Sequence, residues 1–166
     1  MKQLILVRHA KTEPLSGSLN DFDRKLKKRG FVDAQLVSEE LTKNKIIPEL
    51  IISSPAARAM QTAEIMADTF GVPHKSIVVA PFIYDGHTTA GFLDGIAALA
   101  EEKRSVMVVG HNPDMAMLSM KLTGENFYNF PTTATAVISF SVENWYDLEP
   151  GKGSLELFLF PKMLKA

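Results

Sequence analysis

Short apolar runs alternate with segments of helical periodicity along most of this 166-residue chain. Strands are predicted at 2–8, 49–53, 76–80, 105–110, 135–142 and 154–160, helices at 28–44, 54–70, 92–103 and from 112 onward, and loops at 14–27 and 81–92. Strands separated by helices pair in parallel, whereas a hairpin-like linker joins the last two. The pattern predicts an α/β fold: a three-layer sandwich with a largely parallel central sheet flanked by helices, in a single domain spanning residues 1–166.

Two of the predicted helices begin with a recognisable pair of residues. Ser54 is a natural N-cap and Pro55 suits the first helical position, and Asn112 and Pro113 repeat this arrangement. In the first predicted helix, an apolar face includes Phe31, together with Ala34, Val37 and Leu41.

Composition narrows the chemistry that is available. The chain contains no cysteine, which excludes disulfides, thiolate catalysis and sulfur-ligated metals. Its net charge of −1 does not favour a nucleic-acid surface or an anionic membrane as partner. No apolar run approaches the length of about 20 residues that a membrane span requires, so we expect a soluble, cytoplasmic protein.

Basic groups stand at three junctions that follow predicted strands. Arg8 and His9 end the first strand, Arg58 lies in the first turn after the second, and His111 follows the fourth. Parallel sheets build their sites beyond the carboxyl ends of their strands. Because two guanidiniums grip phosphoryl oxygens in a fork, we expect these side chains to form an anion pocket.

A histidine in such a pocket can attack phosphorus if the attacking nitrogen is neutral. Ordinary imidazole is largely neutral at pH 7, and neighbouring arginines favour the neutral form further. His9 directly follows Arg8 and is the better placed nucleophile, which leaves His111 as a phosphate contact or charge stabiliser. The second ring nitrogen of His9 then needs an acceptor, for which a backbone carbonyl would serve.

The junctions also carry a family resemblance. "LVRHAKTE" resembles the R-H-G motif of the histidine phosphatase superfamily, with its phosphoglycerate mutase-like fold, although Ala10 replaces the glycine of many members. "SSPAARAMQTA" resembles the second arginine motif, and "VGHNP" the second histidine motif. "DFDRKLKKRG" resembles a D-x-x-R-x-L-x-x-x-G segment of the small SixA-type phosphohistidine phosphatases.

The resemblance implies that His9 is phosphorylated transiently and then hydrolysed. It implies a phosphate pocket formed by Arg8, Arg58 and His111, with no cofactor and no metal. Arg24 and Asn112 are further candidate contacts for phosphate or substrate. For Arg24, an ion pair in the polar loop with its neighbouring aspartates is an equally good interpretation.

The acid that protonates the leaving group is less evident. Larger members of the superfamily carry a carboxylate in the loop after the third strand, where Asp85 is the nearest candidate. Glu13 and Asp114 are others, and Asp114 has an adequate explanation as a helix-start acid. A leaving imidazole can be protonated before cleavage, so a phosphohistidine substrate tolerates a weak acid.

The predicted function is therefore a phosphatase acting most favourably on phosphohistidine in a signalling protein. The short chain supports a protein substrate, because larger relatives carry insertions that wall in small ones. A small-molecule phosphomonoesterase or mutase of the same superfamily, acting on a small phosphorylated substrate, is the alternative. A phosphate-binding module without turnover is disfavoured by the intact set of Arg8, His9, Arg58 and His111.

Overall fold

A six-stranded sheet forms the centre of the protein in the computed structural model, which describes residues 1–17 and 20–165. The strands are β1 (Lys2–Arg8), β2 (Leu50–Ser53), β3 (Val78–Val79), β4 (Ser105–Gly110), β5 (Thr135–Phe140) and β6 (Ser154–Leu159). Their order across the sheet is β3-β2-β4-β1-β5-β6. The pairs from β3 to β1 are parallel, and β5 is antiparallel to both of its neighbours.

Helices cover both faces of the sheet. They are α1 (Lys28–Lys43), α2 (Ala57–Phe70), α3 (Pro81–Asp85), α4 (Thr89–Ala100), α5 (Asp114–Thr123) and α6 (Pro161–Leu164). The apolar faces of α1 and α2 pack with one side of β1, which contributes Ile5 and Val7. The helices α4 and α5 pack with the other side, where Leu4 and Leu6 lie. The predicted three-layer α/β architecture with a largely parallel sheet is confirmed.

This layering explains the uninterrupted apolar character of the central strands. Successive side chains of a strand point to opposite faces, so a strand covered on both faces needs apolar residues at every position. All four residues from Leu4 to Val7 are fully buried, as are those from Val106 to Val109. The strands β1 and β4 therefore form the buried centre of the sheet.

The predicted helix starts were wrong by a few residues. Helix α2 begins at Ala57 with Ala56 as its N-cap, so Ser54 does not cap it. The Ser54 hydroxyl instead accepts a hydrogen bond of 3.2 Å from the Ala56 amide in the turn before the helix. Helix α5 begins at Asp114 with Pro113 at the N-cap position, but Asn112 Oδ1 still accepts a hydrogen bond of 3.3 Å from the Ala116 amide in the first turn.

Three other local predictions need correction. Residues 81–92 are not a continuous loop, because Pro81 starts the single-turn helix α3 and α4 begins at Thr89. The third strand is only Val78–Val79, at the sheet edge, rather than 76–80. Phe31 is 42 % exposed and does not belong to the buried face of α1. One-turn helices and edge strands are too short for periodicity to define them.

Gly30, at the start of α1, allows the polar segment before the helix to lie against the strand-to-loop junction after β1. A Cβ at this position would stand 2.3 Å from the Lys11 carbonyl oxygen, closer than any side chain permits. The same carbonyl accepts a hydrogen bond of 3.0 Å from the Lys27 amide. This close approach of the Lys11 carbonyl explains why the D-x-x-R-x-L-x-x-x-G segment ends in glycine.

No helix within the described residues has the length and apolar character needed to cross a membrane.

Candidate active site

The carboxyl ends of β2, β4 and β1 lie side by side in the sheet. Arg8 is the register partner of Gly110, and the His9 amide donates to the Gly110 carbonyl over 3.0 Å. On the other side of β4, the Ser54 amide donates to the Val109 carbonyl, also over 3.0 Å. The backbone therefore brings the residues that follow three strands to one edge of the sheet, as the sequence predicts.

His9 has a defined tautomer. The residue is 7 % exposed, and its Nδ1 lies 2.8 Å from the Ala10 carbonyl oxygen. A carbonyl oxygen can only accept, so Nδ1 carries the proton and Nε2 keeps its lone pair. The Ala10 amide donates in turn to Thr62 Oγ1 on α2 over 2.9 Å, which fixes the backbone that orients the ring.

The surroundings of His9 favour the neutral imidazole. Burial, together with the charges of Arg58, Arg8 and, in acid, protonated His111, lowers the pKa of His9 to about 3. The hydrogen bond to Ala10 opposes this shift but does not reverse it. An uncharged ring with a free Nε2 is the form of histidine that can act as a nucleophile at neutral pH.

Arg8 and Asn112 are held by the same acceptor. Arg8 Nη1 donates to the Phe130 carbonyl over 3.1 Å, and Asn112 Nδ2 donates to it over 2.8 Å. This carbonyl lies in the segment before β5, which itself pairs with β1. Asn112 is thus committed to a backbone contact, while Arg8 still has its Nε, which is buried and unpartnered.

Asp21, in a short 3-10 turn (Asp21–Asp23), holds the second arginine. Arg58 Nη1 donates to the Asp21 backbone carbonyl over 2.7 Å, and Nη2 to the Asp21 carboxylate over 2.8 Å. The same carboxylate accepts from Arg24 Nη2 over 3.0 Å and from the Tyr84 hydroxyl over 3.3 Å. Asp21 therefore connects Arg58 on α2, Arg24 in the loop and Tyr84 on α3.

These bonds stabilise the charged form of Asp21. Partial burial raises the pKa of its carboxyl, but the hydrogen bond and charge of Arg58 outweigh burial and hold the pKa below its usual range. The segment is also fastened to α2, because the Leu26 amide donates to Gln61 Oε1 over 2.8 Å. Arg58 itself is 5 % exposed, so a salt bridge with a fixed partner compensates its buried charge.

His111 stands opposite His9 across the site. The two ring centroids are 5.3 Å apart, and the Tyr84 ring meets the His111 ring edge-on at 5.5 Å. His111 Nε2 lies 2.8 Å from Ser54 Oγ, and its Nδ1 is buried without a partner. Burial and the charge of Arg58 lower the pKa of His111 to about 4, so this ring is also neutral at pH 7.

Four buried nitrogens of this cluster have no hydrogen-bond partner among residues 1–17 and 20–165: the Nε atoms of Arg8, Arg24 and Arg58, and Nδ1 of His111. Buried polar groups are normally satisfied, and an unsatisfied one costs about 1–3 kcal/mol. Guanidinium Nε atoms can only donate. Three donors and one imidazole nitrogen thus remain unpartnered in the cluster that contains His9, and a tetrahedral oxyanion such as phosphate would satisfy the donors.

None of the three candidate acids pairs with this cluster. Asp85, the last residue of α3, is exposed, and Glu13 is exposed in the loop after β1. The Asp114 carboxylate lies near Gly86, since a Cβ added to Gly86 would be 3.4 Å from Asp114 Oδ2. Burial raises the pKa of the Asp114 carboxyl. The carboxylate that is bonded to the cluster is that of Asp21, and it already forms salt bridges with Arg58 and Arg24.

Three contacts in the site were not predicted from the sequence. These are the bonds from Asp21 to Arg58, from Ser54 to His111 and from Tyr84 to Asp21. Ser54 was interpreted as a helix cap, and Asp21 only as a neighbour of Arg24. The available signal was the D-x-x-R-x-L segment, whose aspartate and leucine both contact the second arginine motif on α2.

Comparison with known proteins agrees with this geometry. The profile of the histidine phosphatase superfamily (branch 1) matches residues 4–77. The crystal structure of the putative phosphohistidine phosphatase SixA from Agrobacterium tumefaciens is 32 % identical, with a TM-score of 0.81 over 96 % of this chain and 98 % of that one. The chain belongs to the histidine phosphatase superfamily. Its fold places it in the SixA-type branch, and this histidine phosphatase is a hydrolase of the phosphatase class.

Two further relatives cover nearly the whole histidine phosphatase chain. The protein histidine phosphatase SixA, solved in complex with tungstate, is 27 % identical, with a TM-score of 0.83 over 98 % of this chain and 99 % of that one. An uncharacterized chloroplastic protein of Arabidopsis thaliana is 29 % identical over 96 % of this chain and 78 % of its own length. In the part of the chain that the structure describes, no group of three histidine, aspartate or glutamate side chains is placed to hold a metal ion.

Proposed function

We propose that this histidine phosphatase removes the phosphoryl group from phosphohistidine carried by a protein, through a covalent intermediate on His9. The observation that carries the proposal is the His9 ring itself. Its Nδ1 proton is committed to the Ala10 carbonyl, which leaves the Nε2 lone pair free, and Arg8 and Arg58 beside it each keep an Nε donor without a partner in the described part of the chain. SixA was solved with tungstate, a tetrahedral oxyanion, which supports an oxyanion site in this fold.

In the proposed first step, His9 Nε2 forms a bond to phosphorus while the bond from phosphorus to the substrate nitrogen breaks. The leaving imidazole, which solvent has protonated on its second ring nitrogen before cleavage, keeps that proton and departs as neutral histidine. Arg8, Arg58 and His111 stabilise the charge on the equatorial oxygens, an effect that accounts for much of the catalysis of phosphoryl transfer. In the second step, water attacks phosphorus, the bond to Nε2 breaks, and inorganic phosphate leaves.

The choice of phosphohistidine rests on the state of the acidic groups. Transfer from an alcohol needs an acid to protonate the leaving oxygen, an effect worth about 10²–10⁴-fold. Asp21 is ionised and paired with Arg58, and Asp85 is exposed without a hydrogen bond to the described cluster. An imidazole leaving group takes its proton before or during cleavage, so this arrangement favours a phosphoramidate over a phosphoester.

The choice of a protein-borne substrate rests on the rim of the site. Phe22, in the same turn as Asp21, is 38 % exposed and packs edge-on against Tyr84 at 5.1 Å. Tyr128 is 93 % exposed two residues before Phe130, whose carbonyl holds Arg8. Exposed aromatic side chains beside a polar site are common anchors for a protein partner. These residues would contact the domain that carries the phosphohistidine.

A panel of phosphorylated compounds tests the proposal. Initial rates are measured with a phosphohistidine-containing protein, with p-nitrophenyl phosphate and with sugar phosphates. We expect kcat/KM for the phosphohistidine protein to exceed that for sugar phosphates by at least about 10²-fold. This factor is the lower end of the rate loss that a phosphoester suffers when no general acid is present. Equal or better turnover of a sugar phosphate would instead identify a small-molecule phosphomonoesterase or mutase. Binding without any turnover would identify a phosphate-reading module.

Asp85 provides a second prediction. Since its carboxylate is exposed and forms no hydrogen bond with the described cluster, Asp85→Asn is expected to change kcat/KM for phosphohistidine by no more than about threefold. The matched control is Asp94→Asn, which removes another exposed carboxylate, on α4. A hundredfold loss confined to Asp85→Asn would show that Asp85 protonates the leaving group. The absence of an acid would then no longer favour phosphohistidine over a phosphoester.

A further inference from the structure

The hydroxyl of Ser54 lies between a backbone amide and the second histidine. Ser54 Oγ accepts from the Ala56 amide over 3.2 Å and lies 2.8 Å from His111 Nε2. Ser54 is fully buried at the end of β2, so its hydroxyl is removed from water. The contact joins residues that are 57 positions apart in the chain, and the sheet order brings them together.

Counting hydrogens distinguishes the two neutral tautomers of His111. A hydroxyl has one hydrogen, and an amide can only donate, so the Ala56 contact leaves the Ser54 hydrogen free for His111 Nε2. His111 then carries its own proton on Nδ1, and one donor remains unpartnered. In the other tautomer, Nε2–H donates to Ser54, the hydroxyl hydrogen has no acceptor among the described contacts, and Nδ1 presents a lone pair.

Only the first tautomer suits an anion. Phosphate oxygens accept hydrogen bonds and repel lone pairs, so a phosphoryl group would satisfy a buried Nδ1–H and would be disfavoured by a bare Nδ1. The second tautomer leaves two buried polar groups unsatisfied, and phosphate oxygens, as acceptors, give no hydrogen to the Nδ1 lone pair. The hydrogen-bond count thus favours Nδ1–H with and without ligand.

Burial and the charged groups around His111 lower its pKa and keep the ring neutral at pH 7. It faces Arg8 and His9 from the end of β1, Arg58 from α2, Asp21 and Arg24 from the polar segment, and Tyr84 from α3. Three arginines oppose a second proton, and Asp21, already paired with Arg58 and Arg24, favours it only in part. Without a bound ligand, His111 is therefore neutral at pH 7, and its tautomer decides whether Nδ1 can donate to an arriving phosphoryl group.

We propose that Ser54 is a positioning residue that donates its hydroxyl hydrogen to His111 Nε2 and thereby holds the proton of the neutral ring on Nδ1, aimed at the phosphoryl oxygens. The proposal rests on the proposed function for the identity of the ligand, but the tautomer itself does not depend on turnover. In other enzymes, a catalytic histidine that is held in the wrong tautomer lowers kcat by up to about 10⁴-fold.

The kinetic test compares Ser54→Ala with Ser53→Ala across pH. Ser53 is also buried and bonds to a backbone carbonyl, that of Ser54, so it controls for loss of a hydroxyl at this strand end. With p-nitrophenyl phosphate at about pH 8, we expect Ser54→Ala to lose about 10–100-fold in kcat/KM. The loss should shrink as the pH approaches about 4, because a doubly protonated His111 carries Nδ1–H without help from Ser54.

The wild-type to variant ratio cancels the ionisation of the substrate. Ser53→Ala should give a ratio that is independent of pH, and Ser54→Thr, which keeps the hydroxyl, should restore activity. A Ser54→Ala loss that is constant across pH would overturn the proposal, since it would indicate only a structural defect.

A spectroscopic test on the wild-type protein stands even if Ser54→Ala does not fold. Nitrogen-15 NMR of labelled histidine, with inorganic phosphate as the ligand, reports which nitrogen of His111 is protonated. We expect the proton on Nδ1 at neutral pH, with and without phosphate. A proton on Nε2 would overturn the proposal. Failure of the proposed function would instead appear as absent turnover in the substrate panel, with the tautomer unchanged.

Discussion

Replacing His9 with alanine is expected to abolish both turnover and covalent labelling. The nucleophilic nitrogen is His9 Nε2, and no other described imidazole has its Nδ1 fixed by a backbone carbonyl beside two arginines. Loss of a nucleophile in a covalent mechanism costs at least about 10³-fold in kcat and often far more. The measurement is incubation with a radiolabelled phosphohistidine donor, followed by quenching in alkali, where phosphohistidine survives, and a parallel quench in acid, where it hydrolyses.

His9→Asn separates chemistry from packing in this experiment. An asparagine amide can donate to the Ala10 carbonyl as Nδ1 does, but it offers no nucleophilic nitrogen. His74→Ala is the matched control, because His74 is a half-exposed imidazole paired with Asp68. We expect no label and no turnover with either His9 variant, and wild-type behaviour with His74→Ala. An acid-labile label that persists in His9→Asn would mean that another residue is the nucleophile.

The sequence predicted the sheet well because burial on two faces leaves a continuous apolar signal. The runs around Ile5, Ile51 and Val108 could belong only to covered strands, and the helices between them required parallel pairing. Once the order of elements was known, the rule that sites form at strand carboxyl ends brought Arg8, His9 and His111 to one edge. That part of the site follows from backbone topology alone.

The predictions failed where side chains, rather than periodicity, decide the local structure. Ser54 and Pro55 have the composition of a helix start, but the Ser54 hydroxyl contacts His111, and the helix begins three residues later. The partner of Ser54 is 57 positions away, so no local rule finds it. Sequence preferences for caps describe an isolated helix, and a tertiary contact overrides them here.

The polar segment before α1 shows the same limit. Sequence alone left Arg24 between an ion pair and a phosphate contact, and the structure shows the ion pair with Asp21. The Nε atom of Arg24 is buried and unpartnered, so a contact between Arg24 and phosphate stays a prediction. The position of Asp21 depends on how residues 20–27 pack against α2, through the Leu26 bond to Gln61, and a loop without periodicity does not reveal such packing.

Replacing Arg58 is expected to produce the second large effect. Its two Nη atoms are bonded to Asp21, and its buried Nε is free to donate to a phosphoryl oxygen. Arg58→Lys keeps the charge but cannot bond Asp21 and phosphate in two directions at once. We expect kcat for the phosphohistidine protein to fall by about 10²–10³-fold, the loss typical of one transition-state donor. Arg104→Lys, at an exposed position beside the opposite end of β4, is the matched control.

Arg58→Ala should be more damaging than Arg58→Lys, because it leaves Arg24 as the one cation bonded to the Asp21 carboxylate among the described contacts, beside an anionic substrate. Charge neutralisation in the double variant Arg58→Ala/Asp21→Asn should therefore recover about tenfold of the loss, mainly through KM. Both variants are compared at equal folded fraction, monitored by thermal unfolding, since Arg58 is buried. Equal activity of the single and double variants would show that Asp21 holds Arg58 in place without acting on the phosphoryl group. Wild-type kcat in Arg58→Lys would show that only the positive charge at this position matters for transfer.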